Sequence, residues 1–167
     1  LVQVGGNLTG VVTLDDNSGA VTLEMTGDST TLGQTVNGVG DGEGILKLSG
    51  TGTTVSSAIG KTGTNSLAAI DVNGTATFDG ASEATAYTVD ADTTFTGAVL
   101  ANTSFTVDTA GTDVTLSAAS DLSLATVTLG TLTANGLLTT SDLVNTAGKV
   151  YLNVKDNEMG AGKITLG

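Results

Sequence analysis

The chain contains no cysteine, histidine, arginine, tryptophan or proline. Without cysteine it has no disulfide framework, no thiol nucleophile and no soft metal site. Without histidine it lacks the commonest general base, and without arginine it lacks the usual bidentate contact to phosphate. The absence of proline suits a fold of stacked strands, because every backbone N–H along a strand is then able to donate to a neighbour.

Positive charge is also scarce: 17 acidic residues stand against five basic ones, which gives a formal net charge of −12. Such a chain would repel a polyanion, so we expect no nucleic-acid partner. The sequence has no apolar run of about 18 residues, so we expect no membrane-spanning segment.

The residues that are present favour strands and turns. Hydrophobic residues make up 39% of the chain and aromatic residues only 3%, so a core must be built from small aliphatic side chains and threonine. Valine and threonine branch at Cβ and favour strands, whereas the 24 glycines suit tight turns. No linker divides residues 1–167, which we interpret as a single β-repeat domain, complete or part of a longer or polymerised solenoid.

Alternation of apolar and polar residues predicts many short strands, and no convincing helix. The best helical candidate, Ser66–Ile70, is too short and leads into a turn at Asn73-Gly74. The predicted strands are Val11–Leu14, Ala20–Met25, Ile45–Leu48, Thr75–Phe78, Thr93–Thr96, Ser104–Val107, Asp113–Leu116, Leu122–Leu129, Lys149–Val154 and Lys163–Leu166.

A degenerate internal repeat decides among the all-β architectures. Gly27 matches Gly50, Thr30-Thr31-Leu32 matches Thr53-Thr54-Val55, and Val36 matches Ile59, each 23 residues apart (50 − 27 = 23). A looser match relates residues 46–50 to residues 75–80, about 30 further on. Periods of this size are typical of solenoids. We therefore predict a parallel β-solenoid (β-helix) with repeats of roughly 23–30 residues; the alternative is a β-sandwich, pilin-like subunit.

Several segments carry a resemblance to a known family: GEGILKLSG at 42–50, SLAAIDV at 66–72, NGTATFDG at 73–80 and LTANGLLTTSDLVN at 132–145. They resemble the repeats of autotransporter passenger domains, in particular rickettsial-type surface antigens, and of bacterial surface-layer proteins. The resemblance implies a parallel β-helix displayed outside the cell, at the cell surface. It transfers no catalytic residues.

The two ends of the sequence continue the repeat pattern, since residues 163–167 followed by residues 1–10 would read as uninterrupted repeat. Open solenoid ends expose strand edges and invite head-to-tail contacts. We therefore expect a secreted structural subunit of an extracellular filament or surface layer, with the chain itself as partner. The alternative is an adhesin module that binds host or surface glycans or the cell envelope.

Acidic turns are the candidate ligand sites. Asp15, Asp16, Asp41 and Glu43 lie in turns rich in oxygen atoms, and a third such turn is Asp90-Ala91-Asp92. Calcium takes six to eight oxygen ligands, so we name the first four as calcium candidates. The alternative is that these carboxylates only solvate surface turns. No other cofactor is expected.

Two further activities are disfavoured. Paired carboxylates can cleave glycosidic bonds, but the chain lacks the arginine, histidine and tryptophan that commonly bind the sugar, so we do not expect an enzyme. Threonine pairs such as Thr126/Thr128 and Thr131/Thr133 raise the possibility of ice binding. They do not recur at one constant offset, which argues against it.

Overall fold

The computed structural model describes residues 1–17, 19–60 and 64–153, together with the backbone of Lys163–Leu166. The described residues form strands joined by turns. The strands are β1 Val2–Val4, β2 Val12–Leu14, β3 Thr22–Met25, β4 Thr31–Leu32, β5 Val36–Gly38, β6 Ile45–Leu48, β7 Thr53–Val55, β8 Leu67–Val72, β9 Ala76–Phe78, β10 Ser82–Val89, β11 Thr93–Phe95, β12 Val99–Val107, β13 Asp113–Leu116, β14 Ser120–Val127, β15 Thr131–Ala134, β16 Leu138–Asn145, β17 Lys149–Leu152 and β18 Lys163–Leu166.

Every strand pairing is parallel, and the strands stack into a solenoid of about eight turns. The first face is a nine-stranded sheet in the order β1-β3-β6-β8-β10-β12-β14-β16-β18. The second face is a seven-stranded sheet that runs from β4 to β17 through the odd-numbered strands between β7 and β15. The third face begins with the β2–β5 pair and continues through bridges from Val36 to Ile59 and from Ile59 to Ser82. The predicted fold class, an all-β parallel solenoid, is confirmed.

Inward side chains form continuous columns along the solenoid axis. On the first face, Met25, Leu48 and Val72 pair in register, and valines continue the column at Val89 and Val107. All five side chains are fully buried. Because each coil cannot bury its apolar face alone, stacking on its neighbours completes the core.

Aromatic side chains occupy the middle of the core. The rings of Phe78 and Phe95 stack with centroids 4.6 Å apart, and Tyr87 packs 5.4 Å from Phe105. All four residues are buried, so four of the five aromatic residues of this chain are concentrated in adjacent coils. Contacts of this kind add to the free energy gained from burying their area.

A column of glycines forms the corner between the first and second faces. A Cβ at Gly50 would collide with the carbonyl oxygen of Gly27, and a Cβ at Gly74 would collide with that of Gly50. The backbones approach this closely because Ser49 and Gly50 both donate to the Met25 carbonyl, and Asn73 and Gly74 both donate to that of Leu48. The match of Gly27 with Gly50 in the sequence therefore reflects a real structural repeat.

The strand pairings confirm one of the two sequence matches and contradict the other. The 23-residue match is confirmed, because Thr31 pairs with Thr54 and Val36 bridges to Ile59. The match of residues 46–50 to residues 75–80 is wrong: the former include β6 on the first face, whereas the latter include β9 on the second. Gly80 accordingly packs against the backbone of Ser57 and Ala58 at the next corner.

The later coils are shorter than the 23–30 residues expected. Phe78 pairs with Phe95, which is a step of 17 residues (95 − 78 = 17). Leu116 pairs with Ala134, a step of 18 (134 − 116 = 18). No helix in the described residues is long and apolar enough to cross a membrane.

Candidate functional site

The acidic candidates lie at one corner of the solenoid, between the third and the first face. Residues 15–21 connect β2 to β3, and residues 39–44 connect β5 to β6 one coil further on. Parallel stacking of the coils therefore places Asp15 and Asp16 in one loop, and Asp41 and Glu43 in the loop that follows it along the axis.

Asp16 links these two successive loops. Its Oδ1 accepts a hydrogen bond from the Val21 backbone N–H at 2.9 Å, and its Oδ2 accepts one from the Gly44 N–H at 3.1 Å. Asp15 acts locally instead, since its Oδ1 accepts from the Asn17 N–H at 2.9 Å. Both oxygens of Asp16 are therefore occupied by donors of the chain itself.

Asp41 makes the corresponding link to the next coil. Its Oδ1 accepts from the backbone N–H of Ser66 at 3.1 Å and from the Ser66 hydroxyl at 3.3 Å. Glu43 closes its own loop, because its Oε2 accepts from the Gly40 N–H at 2.9 Å. These carboxylates satisfy loop N–H groups that would otherwise lack a protein partner.

The arrangement brings the four candidates to one corner without making a metal centre of them. In the part of the chain that the structure describes, no group of three or more acidic, histidine or cysteine side chains is placed to hold a metal ion. Calcium binding at Asp15, Asp16, Asp41 and Glu43 stays a prediction, and binding would have to compete with the loop hydrogen bonds.

The third acidic turn lies at a different corner, where the short coils pass from the first face to the second. Asp90 Oδ1 accepts from the Thr109 hydroxyl at 3.0 Å, and Asp92 Oδ1 accepts from the Asp113 N–H at 2.8 Å. A hydrogen bond with Asp90 raises the pKa of Asp108. These side-chain hydrogen bonds join successive corners in the same way as the bonds from Thr51 to Asp28 in the longer coils.

A charged network lies on the outside of the first face. Glu24 accepts hydrogen bonds from Gln3 Nε2 at 2.8 Å and from the Ser49 hydroxyl at 2.6 Å, and it forms an ion pair with Lys47 at 3.4 Å. The bonds from Gln3 and Ser49, followed by the contribution of Lys47, lower the pKa of Glu24 to about 2. Burial raises the pKa of Asp71, which pairs with Lys47 in the next strand. Hydrogen bonds and the ion pair link three successive coils through their outward side chains, and Asp71 lies beside Lys47 in the fourth.

The outside of the second face carries a single column of threonines that sequence reasoning missed. One outward threonine stands in each of six consecutive strands: Thr31, Thr54, Thr77, Thr94, Thr115 and Thr133. Unequal coil lengths hide this column in the sequence, where its members recur at no constant interval. Of the threonine pairs noted above, Thr133 belongs to the column, whereas Thr126 lies on the first face beside Thr106.

Comparison of the chain with protein-family models, with curated protein sequences and with solved structures returned no match.

Proposed function

We propose that this chain is a structural segment of an extracellular filament or surface layer, and that it assembles end to end with further copies of itself. The observation that supports the proposal most directly is the first coil. Strand β1 pairs with β3 on one side only, and within the described residues its other edge has no partner strand. An unpaired strand edge is a template for another strand.

The first coil also exposes apolar side chains, of which Val2 lies in β1 itself. Leu1, Val2 and Val11 are 76%, 56% and 67% exposed, whereas Leu23, which pairs with Val2 in the next coil, is 3% exposed. Another coil stacked on β1 would cover Val2 as β6 covers Leu23. Burial of such side chains contributes about 1.5–3 kcal/mol each, which would favour association.

The role is mechanical, not catalytic. Parallel ladders run unbroken along the first and second faces, so a tensile load along the axis is shared by many backbone hydrogen bonds. A net charge of −12 would keep the sides of neighbouring solenoids apart, so growth would occur at the ends. Placement outside the cell rests on the resemblance to passenger and surface-layer repeats.

Electron microscopy and sedimentation velocity of the purified chain test the proposal. We expect fibres or axial oligomers, and we expect Val2→Lys to abolish them, because it would place a charge in the end contact. Thr94→Lys is the matched control: it makes the same charge change on the exposed second face and should leave assembly intact. Monomers of the unaltered chain at all concentrations, or equal loss in both variants, would contradict end-to-end assembly.

The second candidate is an adhesin module, and the observation that favours it is the outward threonine column, whose hydroxyls could bind glycans. Glycan-array binding by a chain that stays monomeric would support it over the filament. Adding a calcium chelator to both experiments tests the acidic corner separately. Loss of assembly or of binding on chelation, restored by calcium, would show the calcium requirement that the prediction for the acidic corner expects.

A further inference from the structure

A groove of about 410 Å³ runs along the third face of the short coils. Its floor contains the outward side chains of three neighbouring strands, Glu83, Leu100 and Asp121, which pair side by side. One wall contains the small corner residues Ala81, Ala98 and Ala119. The groove therefore exists because small side chains precede the strands of the third face in successive coils.

Glu83 lies in this groove as a buried carboxylate with one unsatisfied oxygen. Its side chain is 5% exposed, and Oε1 accepts a hydrogen bond from Asn102 Nδ2 at 3.2 Å. Oε2 is buried and has no hydrogen-bond partner in the described part of the chain. Gly60 lies beside Glu83 with a φ of +67°, and a Cβ there would collide with the Glu83 backbone. The close approach of the neighbouring coil to the Glu83 backbone thus requires glycine at position 60.

The chemistry of the groove indicates a cation as the missing partner. A buried carboxylate is costly unless it meets an opposite charge or further hydrogen bonds. Of the lysines whose side chains the structure describes, Lys47 pairs with Glu24 and Lys149 lies on the second face. Asp121 adds a second carboxylate two strands from Glu83, roughly 10 Å away at the usual spacing of strands. Leu100 lies between them and offers an apolar surface.

We propose that this groove binds an aliphatic chain that carries a primary ammonium group, with the ammonium on Glu83 Oε2 and the methylene chain across Leu100 towards Asp121. A compact ammonium donates three hydrogen bonds and carries the charge that the carboxylate lacks. A chain with a second ammonium would also reach Asp121. A neutral sugar would supply hydroxyl donors but leave the buried charge uncompensated.

Amide chemical-shift titration of the full chain with 1,6-diaminohexane tests the proposal. We expect shifts confined to residues that line the groove, weaker binding of 1-aminohexane, and none of 1-hexanol. Glu83→Gln keeps the shape of the side chain and should weaken the diamine about tenfold or more, since it removes a charged hydrogen bond. Asp113→Asn, an equal charge change on the second face, should leave the affinity within about twofold.

Three results would overturn the proposal: no shifts in the groove, equal binding by Glu83→Gln, or equal binding of 1-hexanol. Lys61 follows Gly60 and lies outside the described residues, so the titration is repeated with Lys61→Gln. Diamine binding that appears only in that variant would mean that the chain's own lysine fills the site, and it would overturn an external ligand.

A free polyamine and a lysine side chain share this chemistry. Titration with spermidine and with a pentapeptide containing one central lysine distinguishes the two sources, and tighter binding by either supports the groove as an ammonium site. Neither readout depends on assembly, so failure of end-to-end association and failure of the groove remain distinguishable.

Discussion

The long coils at the amino-terminal end and the short coils that follow differ most at the corner between the third and the first face. In the long coils a loop separates the third face from the first, as residues 39–44 separate β5 from β6. In the short coils one strand serves both faces: β10 and β12 pair over Ser82–Ala84 and again over Ala86–Thr88, with a shift of register at the bend between. The columns of inward side chains continue from the long coils into the short coils without interruption. The number of residues in a coil is therefore set by the turns between faces. The stacking of one coil on the next is set by the parallel strands of the faces.

The two regions also hold their coils together differently. The long coils use glycine at the first corner and carboxylates that bond loop N–H groups, as Asp16 does with Gly44. The short coils lack those loops and pack Tyr87, Phe95 and Phe105 against one another in the core. Close backbone approach at glycine occurs in both regions, as at Gly97 and Gly136 in the short coils, so we infer that aromatic side-chain volume is what distinguishes the second region. Three substitutions test this comparison.

The largest expected effect is that of Phe95→Ala in the aromatic centre. The substitution leaves a cavity beside Phe78, Tyr87 and Phe105, and we expect a loss of about 3–5 kcal/mol in the free energy of unfolding. Urea denaturation measures the loss, and hydrogen exchange should place it between β9 and β13. Thr94→Ala, on the outward side of the same strand, should change stability by less than about 0.5 kcal/mol. If Leu32→Ala in the long coils costs more than Phe95→Ala, side-chain volume does not distinguish the two regions.

The second effect is that of Gly50→Ala at the glycine corner. The added methyl group meets the Gly27 carbonyl and forces neighbouring backbones apart, so we expect a loss of about 1–3 kcal/mol. Hydrogen exchange should rise in β3, β6 and β8 and stay unchanged in β14 and β16. At Gly6 an added Cβ meets nothing within 4 Å, so Gly6→Ala is the control. Equal losses in both variants would argue against close backbone approach as the cause.

The third and smallest effect is the pH dependence due to Glu24. Its pKa is lowered from 4.5 to about 2, so the folded state favours the ionised form. The stabilisation is present in full above about pH 4.5 and is lost as the pH falls towards 2. Glu24→Gln should therefore be less stable than the unaltered chain at pH 7, and the difference should shrink between pH 4.5 and pH 2.

Two controls sharpen that measurement. Lys47→Met should keep most of the pH dependence, because hydrogen bonds from Gln3 and Ser49 are the larger causes of the lowered pKa. Threonine pairs occupy the corresponding outward positions of the short coils, at Thr88 and Thr106. Because β3 and β6 carry the charged network and the short coils have threonine instead, the rise in hydrogen exchange with acid should occur in β3 and β6. A stability difference that is constant from pH 7 to pH 2 would contradict the account.

Strand positions were predictable wherever apolar and polar residues alternate over a short run. Ile45–Leu48 and Asp113–Leu116 were predicted with the bounds that the structure has. Strand β10 was missed because Glu83, Ala84, Thr85 and Ala86 give no clear alternation at its bend. The segment with the strongest local suggestion of a helix, Ser66–Ile70, lies largely in β8, as the lack of helix-end signals indicated.

The candidate site was predictable only in part. The acidic turns are visible as clusters of oxygen-bearing residues, but the hydrogen bonds that link successive coils reach partners 25 to 28 residues away, as Ser66 and Gly44 are from Asp41 and Asp16. The groove at Glu83 carries no motif at all, because it is lined by alanines and by a leucine from successive coils. A local pattern cannot report on contacts whose spacing changes from 23 to 17 residues along the chain.

The sequence by itself determined the fold class and the first coils. Threonine and valine favour strands, the absence of proline leaves the ladders unbroken, and the 23-residue match aligns Leu32 with Val55. Tertiary structure alone decided which residues share a face in the later coils, since deletion of one loop shifts every later residue by several positions. It thereby aligned the threonine column, gathered the aromatic rings and buried Glu83. Parallel stacking fixes neighbours by strand register, and register depends on where each turn ends.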